Sequence, residues 1–331
     1  MKYLRLGYMM NGSLPSVTAA DIRRLTHVNL AFGLIRNGVL DLGMLTNLPL
    51  TEAFREWNPE VKLVLSVGGW GAGGFSEMAR TDRGRRDFAA SCLAAVENYR
   101  LDGIDIDWEY PCSSAAGIAS DPGDRENFSL LLQCLREALG RERILSVAVG
   151  ADESCVRDTQ MDTVAQIVDY VQLMTYDMLC PGLAGHHAAL GPSRGDTSRR
   201  NTRAVVELYR NAGVPREKLV VGAAFYGRHF QVEGQKNNGL LQPAGPGLPG
   251  PAYGEITRDY LRGNGFQSLW DPEAEAAWLW NGSTFVSYES PEAIRRKCEF
   301  VKEKGLKGIM YWEHGHDPGR ELLDVIHRNL P

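Results

Sequence analysis

The chain has 331 residues, 44% of them hydrophobic, enough to bury a large core as one big domain or two ordinary ones. A net charge of −5 and a pI near 5.9 give no basic footprint for nucleic acid or an anionic membrane. No apolar run reaches the roughly 18 residues that a membrane span needs.

The start, Met1–Met10, has a short apolar stretch and no small-residue cleavage site, so it is predicted as a first strand. Further strands are predicted near His27–Phe32, Leu63–Val67, Gly103–Trp108, Ile144–Val149, Tyr170–Met174, Leu219–Ala224 and Gly308–Trp312, the first being Leu4–Tyr8. Amphipathic helical patterns lie between them at Arg83–Tyr99, Arg125–Leu139, Thr197–Ala212 and Pro291–Lys304. Strands alternating with helices predict an α/β fold with a parallel sheet. Eight such strands fit a closed (β/α)8 TIM barrel better than an open doubly wound sheet. The open sheet would want a GxGxxG turn after the first strand, and Gly7–Gly12 lacks that spacing.

Between the seventh and eighth strands the chain is too long for one helix and two loops. Residues 228–285 are rich in Gly, Pro and aromatics, and are predicted as a small inserted α+β module. The barrel would then comprise residues 1–227 and 286–331, with the module on the carboxyl-terminal face where barrel sites sit. The aromatics argue against a disordered lid. The six cysteines, at positions 92, 112, 134, 155, 180 and 298, are scattered without a CxxC pair. This predicts free thiols and a cytoplasmic protein, or a secreted one if a leader has been removed.

The fourth predicted strand carries the run Asp102-Gly-Ile-Asp105-Ile-Asp107-Trp-Glu109-Tyr-Pro111. Successive strand side chains point to opposite faces, so Asp105, Asp107 and Glu109 share one face and Ile104, Ile106 and Trp108 the other. The apolar set can pack against helices, and packing cannot explain the acidic set. Asp102 falls on the other parity and is predicted as a turn or structural residue. Carboxylates aligned this closely repel, so their pKa values are pushed apart, and one can stay protonated as a general acid. A calcium loop of the EF-hand kind would need a central Gly and a Glu at its twelfth position, which this run lacks.

Polar or aromatic residues also stand at other strand ends: Ser66-Val-Gly-Gly-Trp70, Met174-Thr-Tyr176-Asp177, Tyr226-Gly-Arg228 and Trp312-Glu313. In a barrel these converge on one mouth with Glu109. The acidic run resembles the DGxxDxDxE signature of glycoside hydrolase family 18, the chitinase family. SxGG, MxYD and the Trp ending the last strand resemble further marks of that family, and the segment after the seventh strand resembles its insertion domain.

The resemblance implies substrate-assisted hydrolysis of β-1,4 linkages between N-acetylglucosamine units, in chitin or chitooligosaccharides, with no cofactor and no metal. Glu109 would be the general acid and then base. Asp107 would orient the substrate acetamido group, Asp105 would share a proton with Asp107, and Tyr176 would hold the acetamido carbonyl. Asp177 and Arg228 would bind sugar hydroxyls, Trp312 would floor the site and Trp70 would stack on a neighbouring sugar. Tyr8 and Ser66 would support the buried aspartate, and Phe32, Met174 and Tyr226 complete the expected substrate-binding set.

One stretch departs from the family's pattern. Met178–His187 lacks the aromatic plane that commonly follows MxYD, which favours soluble oligosaccharides over crystalline chitin. His186 and His187 there could contact sugar or cap the loop. Other readings stay open: an endo-β-N-acetylglucosaminidase on N-glycan cores, a chitin-binding lectin, or a metal-dependent hydrolase using His314 and His316. Apart from its carbohydrate substrate the protein is expected to need no partner, neither nucleic acid nor membrane, and to be a monomer.

Overall fold

The computed structural model describes residues 3–262 and 265–331. Strands β1 (Leu4–Met10), β2 (His27–Arg36), β3 (Val39–Asp41), β4 (Lys62–Gly68), β5 (Gly103–Asp107), β6 (Ile144–Val149), β7 (Tyr170–Leu173) and β8 (Leu219–Ala224) follow one another. Five more, β9 (Tyr226–Gln231), β10 (Leu248–Ala252), β11 (Gln267–Asp271), β12 (Ala276–Trp280) and β13 (Thr284–Tyr288), precede β14 (Gly308–Trp312). Strands β1, β2, β4, β5, β6, β7, β8 and β14 pair in parallel, and β1 pairs with both β2 and β14, which closes the barrel.

Each strand turns one face to the barrel interior and one to the helices because its side chains alternate. On β5, Ile104 and Ile106 join Phe128, Leu131 and Leu145 in the fully buried layer between barrel and helices. Asp105 points inward, and on the neighbouring strands it is level with Ser66 and Ser146. The barrel interior therefore holds a polar layer, with apolar Leu6, Tyr170, Val220 and Met310 elsewhere in it.

The eight expected strands all form, three with the predicted bounds (Ile144–Val149, Leu219–Ala224, Gly308–Trp312) and five with shifted ends. β5 stops at Asp107, so Trp108 and Glu109 lie just past it. β2 runs on to Arg36, because Asn37 and Gly38 both take positive φ (51° and 79°) and turn the chain into a hairpin with β3. The helix expected from Thr197 begins at Thr202, where the Asn201 side chain accepts a hydrogen bond from the Ala204 amide.

Between β8 and β14 an antiparallel sheet forms in the order β10-β9-β13-β12-β11. It runs from Tyr226 to Tyr288, so the predicted limits of 228 and 285 fall inside its first and last strands in sequence. The six cysteines are free thiols. Among the described residues no helix is long and apolar enough to cross a membrane.

Candidate active site

A cleft of about 570 Å³ opens at the carboxyl ends of the barrel strands. Its walls include Tyr8, Phe32, Trp70, Asp107, Glu109, Met174, Tyr176, Asp177, Tyr226, Arg228 and Trp312. These come from seven separated stretches of chain, brought together around the carboxyl-terminal mouth of the barrel.

Two predicted residues lie beneath the cleft instead. Asp105 and Ser66 are fully buried one layer down in the barrel. Asp105 Oδ2 accepts from Tyr8 Oη (2.9 Å), Ser66 Oγ (2.8 Å) and Asn29 Nδ2 (3.3 Å). Its Oδ1 accepts from Ser146 Oγ and Gln172 Nε2, both at 2.7 Å. Five neutral donors occupy the Asp105 oxygens, and no hydrogen bond joins Asp105 to Asp107 among the described residues. Ser66, expected to support the buried aspartate, donates to Asp105 and is not among the residues lining the cleft.

Asn29, Ser146 and Gln172 escaped the sequence reading, although each interrupts an apolar strand (Val28-Asn29-Leu30, Leu145-Ser146-Val147, Val171-Gln172-Leu173). A lone polar residue at an inward position was the available signal. Asp102, on the outer parity, pairs with Arg55 (2.8 Å) and Lys62 (3.2 Å) and accepts from the Leu63 amide, a structural role.

Asp107 is almost fully buried and its Oδ1 has no hydrogen-bond partner among the described residues. Burial, reinforced by the charges of Glu109 and Asp105, holds its carboxyl well above the usual carboxylate range. Burial also raises Asp105, against the pull of its hydrogen bonds. Burial pushes Glu109 up to about 7; a hydrogen bond from Tyr110 opposes the rise and the Asp177 charge adds to it. At neutral pH one carboxyl in the cleft is thus poised between its two forms.

Close approach of β4 and β5 sets this geometry. Gly68 has φ of 122°, and a β-carbon there would lie 2.0 Å from the Asp107 carbonyl oxygen. That oxygen accepts from the Gly69 amide at 2.9 Å. The SxGG run is therefore a seat for the strand end that carries Asp107.

Trp312 stacks on Phe32 at 5.5 Å, giving the cleft a flat apolar floor, and Tyr8 meets it at 5.7 Å. Trp70 is 65% exposed at the rim, where a sugar ring could lie on it. Asp177 receives a two-point contact from Arg228, Nε to Oδ1 and Nη2 to Oδ2, both 2.6 Å. Tyr110, Ser113, Asp152, Ser154 and Cys155 also line the cleft and carried no motif.

Residues 6–317 match the model of the Glycosyl hydrolases family 18. The chain belongs to glycoside hydrolase family 18. Within family 18 it is 32% identical to chitinase A1 of Niallia circulans over 312 residues, covering 86% of this chain and 45% of that protein. The chain spans about half the length of the curated relatives it matches. Among solved structures, a family 18 N-acetylglucosaminidase from Paenibacillus barengoltzii superposes with a TM-score of 0.97 at 45% identity, covering 99% of this chain and 100% of that one. The group IV chitinase of Ostrinia furnacalis gives 0.90 at 29% identity, with 99% of each chain covered. The (β/α)8 barrel is thus the family 18 barrel.

The two histidines of the departing loop separate. His186 is buried away from the cleft, against Trp278 (5.6 Å) and Phe285 (6.0 Å), with Nε2 3.5 Å from Asp271. His187 lies behind Asp177, Nδ1 to Oδ1 3.4 Å. His314 contacts Tyr311 Oη (3.0 Å) and Asp21 (3.5 Å), and His316 sits 3.7 Å from Glu313. Among the described residues no group of three or more His, Cys, Asp or Glu is placed to hold a metal ion.

Proposed function

We propose that this protein is a retaining glycosidase that cleaves β-1,4 bonds between N-acetylglucosamine units by substrate-assisted catalysis. The observation that carries the reading is Glu109, raised by burial to about 7 beside an Asp107 whose Oδ1 lacks a hydrogen-bond partner among the described residues. Glu109 donates its proton to the glycosidic oxygen as that bond breaks. The acetamido oxygen of the same sugar attacks the anomeric carbon from the opposite face, so no second carboxylate nucleophile is required.

The buried Asp107 Oδ1 meets the acetamido N–H, and Tyr176 donates to the acetamido oxygen as it attacks. Asp105, held by its five donors, supports the strand end that carries Asp107 from beneath the cleft. Glu109, now ionised, removes a proton from water as the water opens the cyclic intermediate, and the configuration is retained.

Short chitooligosaccharides are the substrate class this reading favours. The Met178–His187 loop supplies no aromatic plane to the cleft, and the P. barengoltzii N-acetylglucosaminidase is covered over its full length. The intact Glu109 speaks against a lectin, and the five-stranded sheet beside the cleft, read as the family's insertion module, against a cleaver of N-glycan cores. A fluorogenic chitobioside tests it. Wild type should release the fluorophore, and Glu109→Gln should lose about three orders of magnitude in kcat while still binding the sugar. Equal turnover by both, or equal cleavage of oligomers lacking the N-acetyl group, would refute the mechanism.

A further inference from the structure

Asp177 is the one non-glycine residue of the cleft wall whose backbone lies in the left-handed region, with φ of 54°. Asp adopts this region more readily than most residues with a β-carbon, and here contacts on its side chain hold it. Arg228 supplies one set of contacts from β9. The other set comes from His187, a residue that the chemistry proposed above does not use.

His187 is held firmly. Its side chain is fully buried, its amide donates to Ser287 Oγ on β13 (2.9 Å), and its carbonyl accepts from the Met178 amide (3.0 Å), one residue past Asp177. The ring lies 5.3 Å from that of Tyr226, which also meets His316 at 6.1 Å and the Arg228 guanidinium at 5.7 Å. Nε2 has no hydrogen-bond partner among the described residues. A proton on Nε2 would leave a buried donor unmet and turn the Nδ1 lone pair toward a carboxylate; a proton on Nδ1 avoids both. The ring therefore donates from Nδ1 to Asp177 Oδ1 across 3.4 Å, a contact with room to tighten when a ligand binds.

Asp177 Oδ1 then accepts from both His187 and Arg228, and Oδ2 from Arg228, with the Tyr226 hydroxyl also at this carboxylate. Asp177 lines the cleft with 37% of its side chain accessible. We propose that His187 is a positioning residue, whose ring locks Asp177 from behind so that its carboxylate is presented to a hydroxyl of the bound sugar. This rests on the glycosidase reading of the cleft and assigns a role within it to a residue outside the cleft wall.

Two substitutions separate the donor from the ring. His187→Phe keeps a ring against Tyr226 and removes the donor; His187→Gln keeps a donor and removes the ring. With chitotriose as substrate, His187→Phe should raise KM about ten-fold, the scale of one lost hydrogen bond to a charged group, with kcat changed far less. His187→Gln should recover most of the loss. Should His187→Phe fail to fold, as judged by its urea midpoint, His187→Leu serves as the variant without a donor. A KM within two-fold of wild type in the donor-less variant overturns the role of His187, as does a His187→Gln enzyme no better than it. Wild-type protein that neither cleaves nor binds chitotriose overturns the glycosidase reading, and this inference with it.

Discussion

Glu109 has to be protonated to begin the proposed reaction and ionised to finish it, so its surroundings decide where on the pH scale both are possible. Burial is the largest influence and raises the carboxyl to about 7, with the Asp177 charge adding to the rise. A raised acid is protonated below that value and loses its proton above it. The kcat/KM of wild type should therefore hold on the acid side and fall as pH rises through about 7. Asp177→Asn removes the charge and leaves Arg228 unpaired nearby, and both effects favour ionised Glu109. Its alkaline limb should move to lower pH, besides any weakening of sugar binding. Profiles of kcat/KM against pH for the two enzymes check this; coincident limbs would exclude Asp177 as an influence on Glu109. Alternation exposed the acids at this scale, since a strand period of two sorts Asp105, Asp107 and Glu109 from their apolar neighbours. The same rule could have singled out Asn29, Ser146 and Gln172. It could not separate His186 from His187, because a loop has no fixed period to say which neighbour turns inward.

Among the elements, the junction of β4 and β5 carries the most functional consequence. Gly68 is confined by its φ of 122° and by the Asp107 carbonyl, 2.0 Å from where a β-carbon would stand. Gly68→Ala must twist β4 or push the end of β5 away. The strain should lower stability by about 1–3 kcal/mol, seen as a lower urea midpoint. A shift of about 1 Å at Asp107 and Glu109 should cost kcat about a hundred-fold. Retained activity in a destabilised Gly68→Ala protein would separate the motif from the catalytic geometry. Apolar strand runs and helical periodicity made the barrel legible; at the helix Pro291–Lys304 the Ser290 side chain caps the Ala293 amide, a start signal the pattern alone did not use. The β2–β3 hairpin was missed although Asn37-Gly38 is the residue pair its turn demands. The helix expected from Thr197 started late because the side chain of Asn201, not the amphipathic pattern, decides where backbone amides are first satisfied.

For the whole molecule, the question is whether the five-stranded sheet is an appendage or part of one cooperative unit. Backbone hydrogen bonds tie it to the loop after β7: Ala184 donates to Gln242, Leu241 to Ala184, and Ala244 to Gly182, at 2.9–3.0 Å. His186 from that loop is buried in the sheet's own apolar cluster with Trp278 and Phe285. At the return to the barrel, Glu289 accepts from the Ala224 amide on β8 at 2.5 Å. Its other oxygen lies 2.8 Å from Lys297 Nζ, whose directed hydrogen bond goes to the Gly222 carbonyl at 2.9 Å. Lys297 and Glu289 are both buried, and burial lowers the lysine against the pull of the glutamate. Replacing Lys297 with Met leaves Glu289 buried without its cation, a loss of about 3–5 kcal/mol. If sheet and barrel form one unit, that loss reaches both. Hydrogen exchange in graded denaturant should then show amides of β12 and β13 opening with those of β8 and β14 in wild type, and both sets losing equal protection in Lys297→Met. Loss of protection confined to the five-stranded sheet would make it an independently unfolding module. The cleft wall that Tyr226 and Arg228 provide from β9 could then be lost while the barrel stays folded.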